Sequence, residues 1–287
     1  MIVVPCAATK LPSTLEFDVK DEEVDNMIDE LSKAQRWNKD DIEYLSKAWI
    51  RAVMSQPYKK KKHVRRPFEY SKKKLAEYLD WRTRSCITSK ISHHLNSDGE
   101  EFAKLTKSPG SLYWYGTDNE GSPILWYHSD LTKFDEAMEV KDEMEVTSLV
   151  IQAAIDAMPA NIHNFNFVIC FDIFNPMKAL RHPNLAPAFI KTFMRICPDR
   201  LKRGVFLTGT LGHVFYKLAK RLASASIMDK VIETRSREET TNFFVSEGLV
   251  GEHQVPTFMG GTYAHDDKIT KCFPTMIDEI KKTMMRG

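Results

Sequence analysis

Residues 197–209 read CPDRLKRGVFLTG, and TLGHVFYKLAKRLASASIM follows without a break as residues 210–228. A Pro-Asp-Arg turn leads into a short apolar strand, and the strand hands over to a helix. That helix places Leu211, Val214, Phe215, Leu218 and Leu222 on one stripe, with Lys217, Lys220 and Arg221 largely opposite. A helix covering the sheet of any α/β protein has this pattern. The lid of a lipid pocket needs the same one, apolar face inward and cations toward phosphates. Gly209 and Gly212 stand where a strand meets a helix, as in phosphate-binding loops. Neither the G-x-G-x-x-G nor the G-x-x-x-x-G-K-[ST] spacing is present, so the nucleotide signal is weak.

Working outward, strand and helix patterns alternate on both sides of this stretch. Upstream, SLYWYGTDNEGSPILWYHS (residues 111–129) is a hairpin pattern, two aromatic-rich strands around Asp-Asn-Glu-Gly. A long helix around DEMEVTSLVIQAAIDAM follows. FNFVICFDIFN (residues 165–175) then reads as a strand buried on both faces. PAFIKTFMRI is helical; downstream DKVIETR reads as a strand and REETTNFFV as a closing helix. The alternation predicts an α/β fold with a largely parallel or mixed sheet and helices over its faces. Residues 20–105 differ, because their apolar positions recur at helical spacing: Val24, Ile28 and Leu31; Ile42, Leu45, Trp49 and Val53; Leu75 and Leu79 with Tyr78. They form a small helical module interrupted by a basic loop, and residues 106–287 form the second domain.

The chain has 287 residues, 43% hydrophobic and 28% charged, in the range of an ordinary globular protein. No apolar run reaches the roughly 18 residues that span a bilayer. No basic stretch precedes the first apolar residues, so no secretory signal is expected. Cys6, Cys86, Cys170, Cys197 and Cys272 are odd in number and without a C-x-x-C pair, which argues for free thiols in a reducing, cytoplasmic setting. A net charge of +2 argues against a polyanion binder, and no nucleic-acid partner is expected. The cations are uneven, however. KKKKHVRR, residues 59–66, suits anionic headgroups at about 1 kcal/mol per residue near a charged leaflet; nucleic acid, nuclear import or a solvated loop would use the same run.

Catalytic signatures are lacking. There is no G-x-S-x-G elbow, no H-x-x-x-H pair, and His93 and His94 point to different sides of a helix. Asp172 is at a strand end where enzymes often place acids, but structural hydrogen-bonders occupy that position more often. No metal or cofactor is expected.

Several of these segments, in order, resemble the CRAL-TRIO family of lipid-transfer proteins, including its phosphatidylinositol/phosphatidylcholine transfer branch. LAEYLDWRTR is similar to the last helix of that family's N-terminal module. YWYGTDNEGSPILWY is similar to its opening hairpin, and CPDRLKRGVFLTG to its Tyr-Pro-Glu-Arg turn and strand. DKVIETR and VPTFMGGTY are similar to its Lys-containing strand and its closing Phe-Gly-Gly signature. The resemblance implies a mixed sheet flooring a hydrophobic cavity, an amphipathic gate helix and a helical module behind. It implies a monomeric carrier, not an enzyme, that takes one phospholipid or other hydrophobic ligand from a membrane and delivers or presents it. Such a protein would be cytoplasmic and touch membranes reversibly.

On that resemblance, Asp199 and Lys230 match the headgroup positions, with Asp in place of Glu. The branch's Arg-Lys pair has no matching pair here; Arg65 and Arg66 lie nearby, out of register against Trp81. Phe167, Ile169 and Phe171, or alternately Val168 and Cys170, would line the cavity floor, with Val205 or Phe206, Leu207 and Thr208. Leu211–Met228 would be the gate. Lys59, Lys60, Lys61, Lys62, Arg65 and Arg66 would meet the membrane surface. Shielding two sixteen-carbon chains from water is worth about 25 kcal/mol, far more than the 1.5–3 kcal/mol or so of a charge-assisted hydrogen bond. The pocket therefore carries the affinity and the headgroup contacts the choice. The rival expectations are a lipid-sensing scaffold with the same pocket, and a nucleotide-dependent α/β enzyme using Gly209–Gly212.

Overall fold

Three acids, Asp21, Glu22 and Glu23, open helix α1 (Asp21–Ser32), where they complement the helix dipole, and the Glu23 carboxylate accepts the Lys20 N–H at 3.1 Å. The computed structural model describes residues 17–58, 61–96, 101–102, 112–128, 139–159, 161–170, 183–222, 225–264 and 273–285. Cys6, Lys59, Lys60, Phe171, Asp172 and Cys272 lie outside them, as do the side chains of Lys62, Leu211, Phe215, Leu218 and Leu222.

Helices α2 (Lys39–Glu43) and α3 (Lys47–Met54) start at Asn38 and Ser46, whose side-chain oxygens accept the Asp41 and Trp49 N–H groups. Helix α4 (Phe68–Ser85) starts behind Pro67, and Cys86 in the left-handed region (φ 51°) separates it from α5 (Ile87–Asn96). Val24, Leu31, Ile42, Leu45, Trp49, Val53, Leu75, Tyr78 and Leu79 are all buried together. The expected basic loop differs. Its described part is an antiparallel ribbon, β1 (Pro57–Tyr58) with β2 (Lys61–Arg65). The Arg66 N–H donates to the Gln56 carbonyl at 2.9 Å, and the ends of the ribbon are pinned by ion pairs described below.

The second region is a five-stranded sheet in the order β3 (Leu112–Thr117), β4 (Pro123–His128), β5 (Phe165–Cys170), β6 (Leu201–Leu207), β7 (Val231–Thr234). The first pair is antiparallel and the others parallel. The parallel crossovers carry α6 (Val140–Ala157), α7 (Leu185–Ile196), and α8 (Gly209–Leu222) with α9 (Ala225–Met228). Helix α10 (Arg237–Ser246) and α11 (Phe273–Met285) follow. The hairpin turn is held by Asp118, which accepts the Glu120 and Ser122 N–H groups at 3.0 and 2.9 Å, Asn166 Nδ2 at 2.8 Å and Lys202 Nζ at 2.7 Å. One carboxylate thus ties the turn to β5 and β6.

Side chains alternate across the sheet. Phe165, Phe167 and Ile169 join Leu112, Trp114, Leu125 and Tyr127 in the core shared with α6, α7 and the helical module. Val168, Cys170, Val205 and Leu207 face the other way, with Tyr113, Ile124 and Trp126, beneath Phe244 and the Leu249–Met259 segment. Both faces are covered, so every residue of β5 is buried and its sequence is apolar with a single Asn. The FMGG signature has a steric reason: Gly260 is left-handed (φ 87°), and a Cβ on Gly261 would stand 2.0 Å from the Val255 carbonyl oxygen.

Candidate functional site

The Pro-Asp-Arg turn lies where the helical module meets the sheet, and each of its residues reaches across. Trp49 Nε1 donates to the Pro198 carbonyl at 2.8 Å. The Arg200 guanidinium stacks over the Trp49 ring at 3.8 Å and donates to the His163 carbonyl at 3.0 Å. Asp199 adopts a left-handed conformation (φ 58°), which aspartate tolerates better than most residues. Its carboxylate accepts from Arg66 Nη1 at 2.6 Å and Nη2 at 3.1 Å, a two-pronged pair, with Lys74 Nζ at 3.4 Å. Both partners of the Arg66–Asp199 pair are 3% exposed.

Burial by itself would raise the Asp199 pKa, but the charges of Lys74 and Arg66 override it and hold the carboxyl at about 2. Lys230, at the start of β7, also acts electrostatically on Asp199. The two residues expected at a headgroup are therefore near one another, both buried. A second junction supports the same contact. Tyr44 Oη donates to Asp156 at 2.5 Å, Tyr78 Oη donates to Gln152 Oε1 at 3.0 Å, and Arg82 lies 3.6 Å over the Tyr44 ring. Burial raises both tyrosine pKa values, so the hydroxyls remain donors.

Two of the expected membrane-surface cations are placed otherwise. Arg66 is buried against Asp199, and Arg65 is paired with Glu23 at 2.6 and 3.1 Å. A guanidinium buried without a carboxylate would be costly, so these pairs draw the end of the basic run into the fold. Lys61 is exposed. No local signal in the sequence marks Arg66, Lys74 or Trp49 as partners of the turn, because they are 125 to 149 residues away from it.

At the other end of β6, Gly209 turns the chain with φ 52° into α8. On α8, Tyr216 packs edge-on against Phe206 of the sheet at 5.7 Å between ring centroids. His213 Nδ1 lies 2.5 Å from Glu233 Oε1 on β7. The inner side of this helix thus includes Gly212, His213 and Tyr216, whereas Val214, expected inside, is 66% exposed and shares the outer side with Lys217, Lys220 and Arg221. The correction follows from angle: Val214 is 200° from Tyr216 around a helix of 100° per residue. Thr208, expected in a pocket wall, is fully buried and its hydroxyl donates to Glu233 at 3.0 Å. Phe167 stacks on Phe193 of α7 at 5.2 Å, on the same side of the sheet as Phe206 and Tyr216. That side, and not the Val168–Cys170 side, lies under α8. Among the described residues no helix is long and apolar enough to cross a membrane, and none of their His, Cys, Asp or Glu groups could hold a metal ion.

The architecture is a mixed sheet with an antiparallel opening hairpin, parallel crossovers and an appended helical module. Residues 107–261 match the CRAL/TRIO domain, and the chain belongs to that family of lipid-binding and transfer proteins rather than to an enzyme family. Among solved structures it is similar to the crystal structure of Sfh5, at 12% identity and a TM-score of 0.57, over 94% of this chain and 100% of that one. That likeness concerns the fold. No curated protein matches the sequence. Membership supports binding and transfer of a lipid or other small hydrophobic ligand.

Proposed function

We propose that this protein takes up a single phospholipid, phosphatidylinositol or phosphatidylcholine, and carries it between membranes through the cytoplasm, touching each bilayer reversibly. The observation that carries this reading is the lie of β6. Its seven residues span about 23 Å, with the Asp199–Lys230 cluster at one end and Gly209 with α8 at the other. A leaflet of bilayer hydrocarbon is about 15 Å deep, so an acyl chain can run along the Phe167–Phe206 side of the sheet within that length. In this reading α8 is the gate. Gly209 gives it a hinge, the His213–Glu233 contact latches it to β7, and its outer face of Val214, Lys217, Lys220 and Arg221 meets the headgroup layer. Lys230 contributes to the headgroup phosphate, with Asp199 held in reserve by Arg66 and Lys74.

Mass spectrometry of organic extracts from the purified protein tests the first part, and vesicle-to-vesicle transfer assays test the second. A co-purifying glycerophospholipid is expected. Lys230→Ala should reduce phosphatidylinositol transfer more than phosphatidylcholine transfer. A protein that extracts no lipid and moves none would overturn the proposal. Equal loss for both lipids would remove the headgroup role of Lys230.

A further inference from the structure

Two polar side chains of α6, Glu143 and Thr147, have no role in the carrier reading as stated so far. They stand one helical turn apart, 6% and 1% exposed. The Thr147 hydroxyl is buried without a hydrogen-bond partner, whereas its neighbour Ser148 closes on the Met144 carbonyl at 2.7 Å, as hydroxyls inside helices commonly do. Glu143 makes no side-chain hydrogen bond or ion pair among the described residues. Burial pushes its carboxyl up to about 7, so near neutrality a large share of it keeps its proton and can donate as well as accept. Buried polar groups in folded proteins are nearly always paired. Two exceptions side by side on one helix face call for a partner.

That face is the one turned toward the sheet. Gln152, nine residues after Glu143, bonds Tyr78 of the helical module, and at about 100° per residue the two side chains diverge by about 180°. The carbonyl of Val150, on the Glu143 side of the helix, accepts Trp114 Nε1 of β3 at 3.0 Å. As a crossover helix, α6 runs back against β4 and β5, so its first turns lie over the carboxyl ends of those strands. Leu112, Tyr127, Ile169 and Phe206 form one row there, register partners across four strands. The row is about 7 Å beyond Trp114, between Thr147 and Glu143, which lie about 4.5 and 10.5 Å from Val150 along the helix. Its last member, Phe206, carries Tyr216 of the gate. Lys230 is three residues short of Glu233, the register partner of Phe206. It is therefore about 10 Å from the row along the strands and about 14 Å from β4 across them, a diagonal of about 17 Å. One leaflet of hydrocarbon is about 15 Å deep.

We infer that Glu143 and Thr147 bind an uncharged hydroxyl on the hydrocarbon end of the cargo, so that the preferred lipid is a phospholipid with a hydroxylated acyl chain. The inference rests on the carrier reading, with the headgroup at Lys230. A hydroxyl both donates and accepts, as do a carboxylic acid and a threonine, so one ligand oxygen can serve both side chains. A plain chain in the same place leaves both groups unpaired, and a site built to bond a hydroxyl rejects the analogue that lacks it. Lys230 would then read the headgroup and α6 the chain.

The test offers the full chain equimolar ricinoleoyl- and oleoyl-phosphatidylcholine in mixed vesicles, two lipids that differ by a hydroxyl on the chain. Mass spectrometry then measures which of them the re-isolated protein carries. Preferential loading of the ricinoleoyl lipid by at least about tenfold is expected. Thr147→Val and Glu143→Met remove the polar atoms and keep most of the volume. Each should cut the preference below about threefold while the oleoyl lipid is still loaded. Thr147→Ser keeps the hydroxyl and should keep the preference. Equal loading of the two lipids by the unaltered protein overturns the inference, and so does a preference that survives both apolar substitutions; neither result touches the carrier reading. Loading of neither lipid sinks the carrier reading and this inference with it.

Discussion

Replacing Arg66 by methionine removes the guanidinium that holds Asp199 in a two-pronged pair while keeping much of the side-chain volume. The drop of the Asp199 carboxyl from 3.8 to about 2 corresponds to about 2.5 kcal/mol. Breaking a buried ion pair from one side typically costs about 3–5 kcal/mol. Lys74 remains 3.4 Å from the stranded carboxylate, so the expected loss for Arg66→Met is near the lower figure, about 3 kcal/mol. Asp199→Asn together with Arg66→Met should recover part of it, because the stranded carboxylate is gone while Lys74 and Lys230 keep their charges beside the turn. The sign with pH is definite. The folded carboxyl is the stronger acid, so its contribution is complete above about pH 4 and disappears as the pH falls through 2. Urea denaturation followed by tryptophan fluorescence measures this directly, since Trp49 bonds Pro198 and stacks on Arg200 in the same turn. A double-mutant cycle that gives a coupling below about 1 kcal/mol, the level of a surface pair, would refute the claim that this pair fastens the helical module to the sheet.

Burial raises the Glu143 carboxyl on α6 from 4.5 to about 7, so the folded state holds its proton more tightly and stability falls as the pH rises from about 4.5 through 7. Glu143→Gln should be more stable by up to about 3 kcal/mol at about pH 8 and gain nothing at about pH 4.5; a gain independent of pH would contradict the burial of that carboxyl. Gly261→Ala should lose about 1–3 kcal/mol by overpacking against the Val255 carbonyl, visible as a lower Tm, and an unchanged Tm would show that the backbone can yield there. Val214→Asp should leave stability within about 0.5 kcal/mol, because the side chain is 66% exposed, and should weaken adsorption to phosphatidylcholine vesicles; unaltered adsorption would take Val214 out of the membrane face. Neutralising Lys59–Lys62 should weaken adsorption to anionic vesicles, less so as salt is raised, and unchanged adsorption at low salt would return that run to merely solvated charges.

Local pattern was enough for the order of strands and helices in this chain. The hairpin around Asp118, the largely apolar β5 and the helical spacing of residues 21–85 each follow from periodicity and turn chemistry within a short window. The CPDR turn was legible in the same way, whereas FMGG was legible only through the family resemblance; the structure adds the local constraints, a left-handed Asp199 and a crowded Gly261. The direction in which a helix face looks is another matter. Leu211, Val214 and Leu218 form an apolar stripe on paper, yet Val214 points to solvent, because the contacts of Tyr216 with Phe206 and His213 with Glu233 set the rotation of α8. Likewise a run of cations reads as surface in one dimension. Arg66 is interior only because Asp199, 133 residues away, is folded against it, and a long-range charge pair leaves no periodic trace in a single sequence.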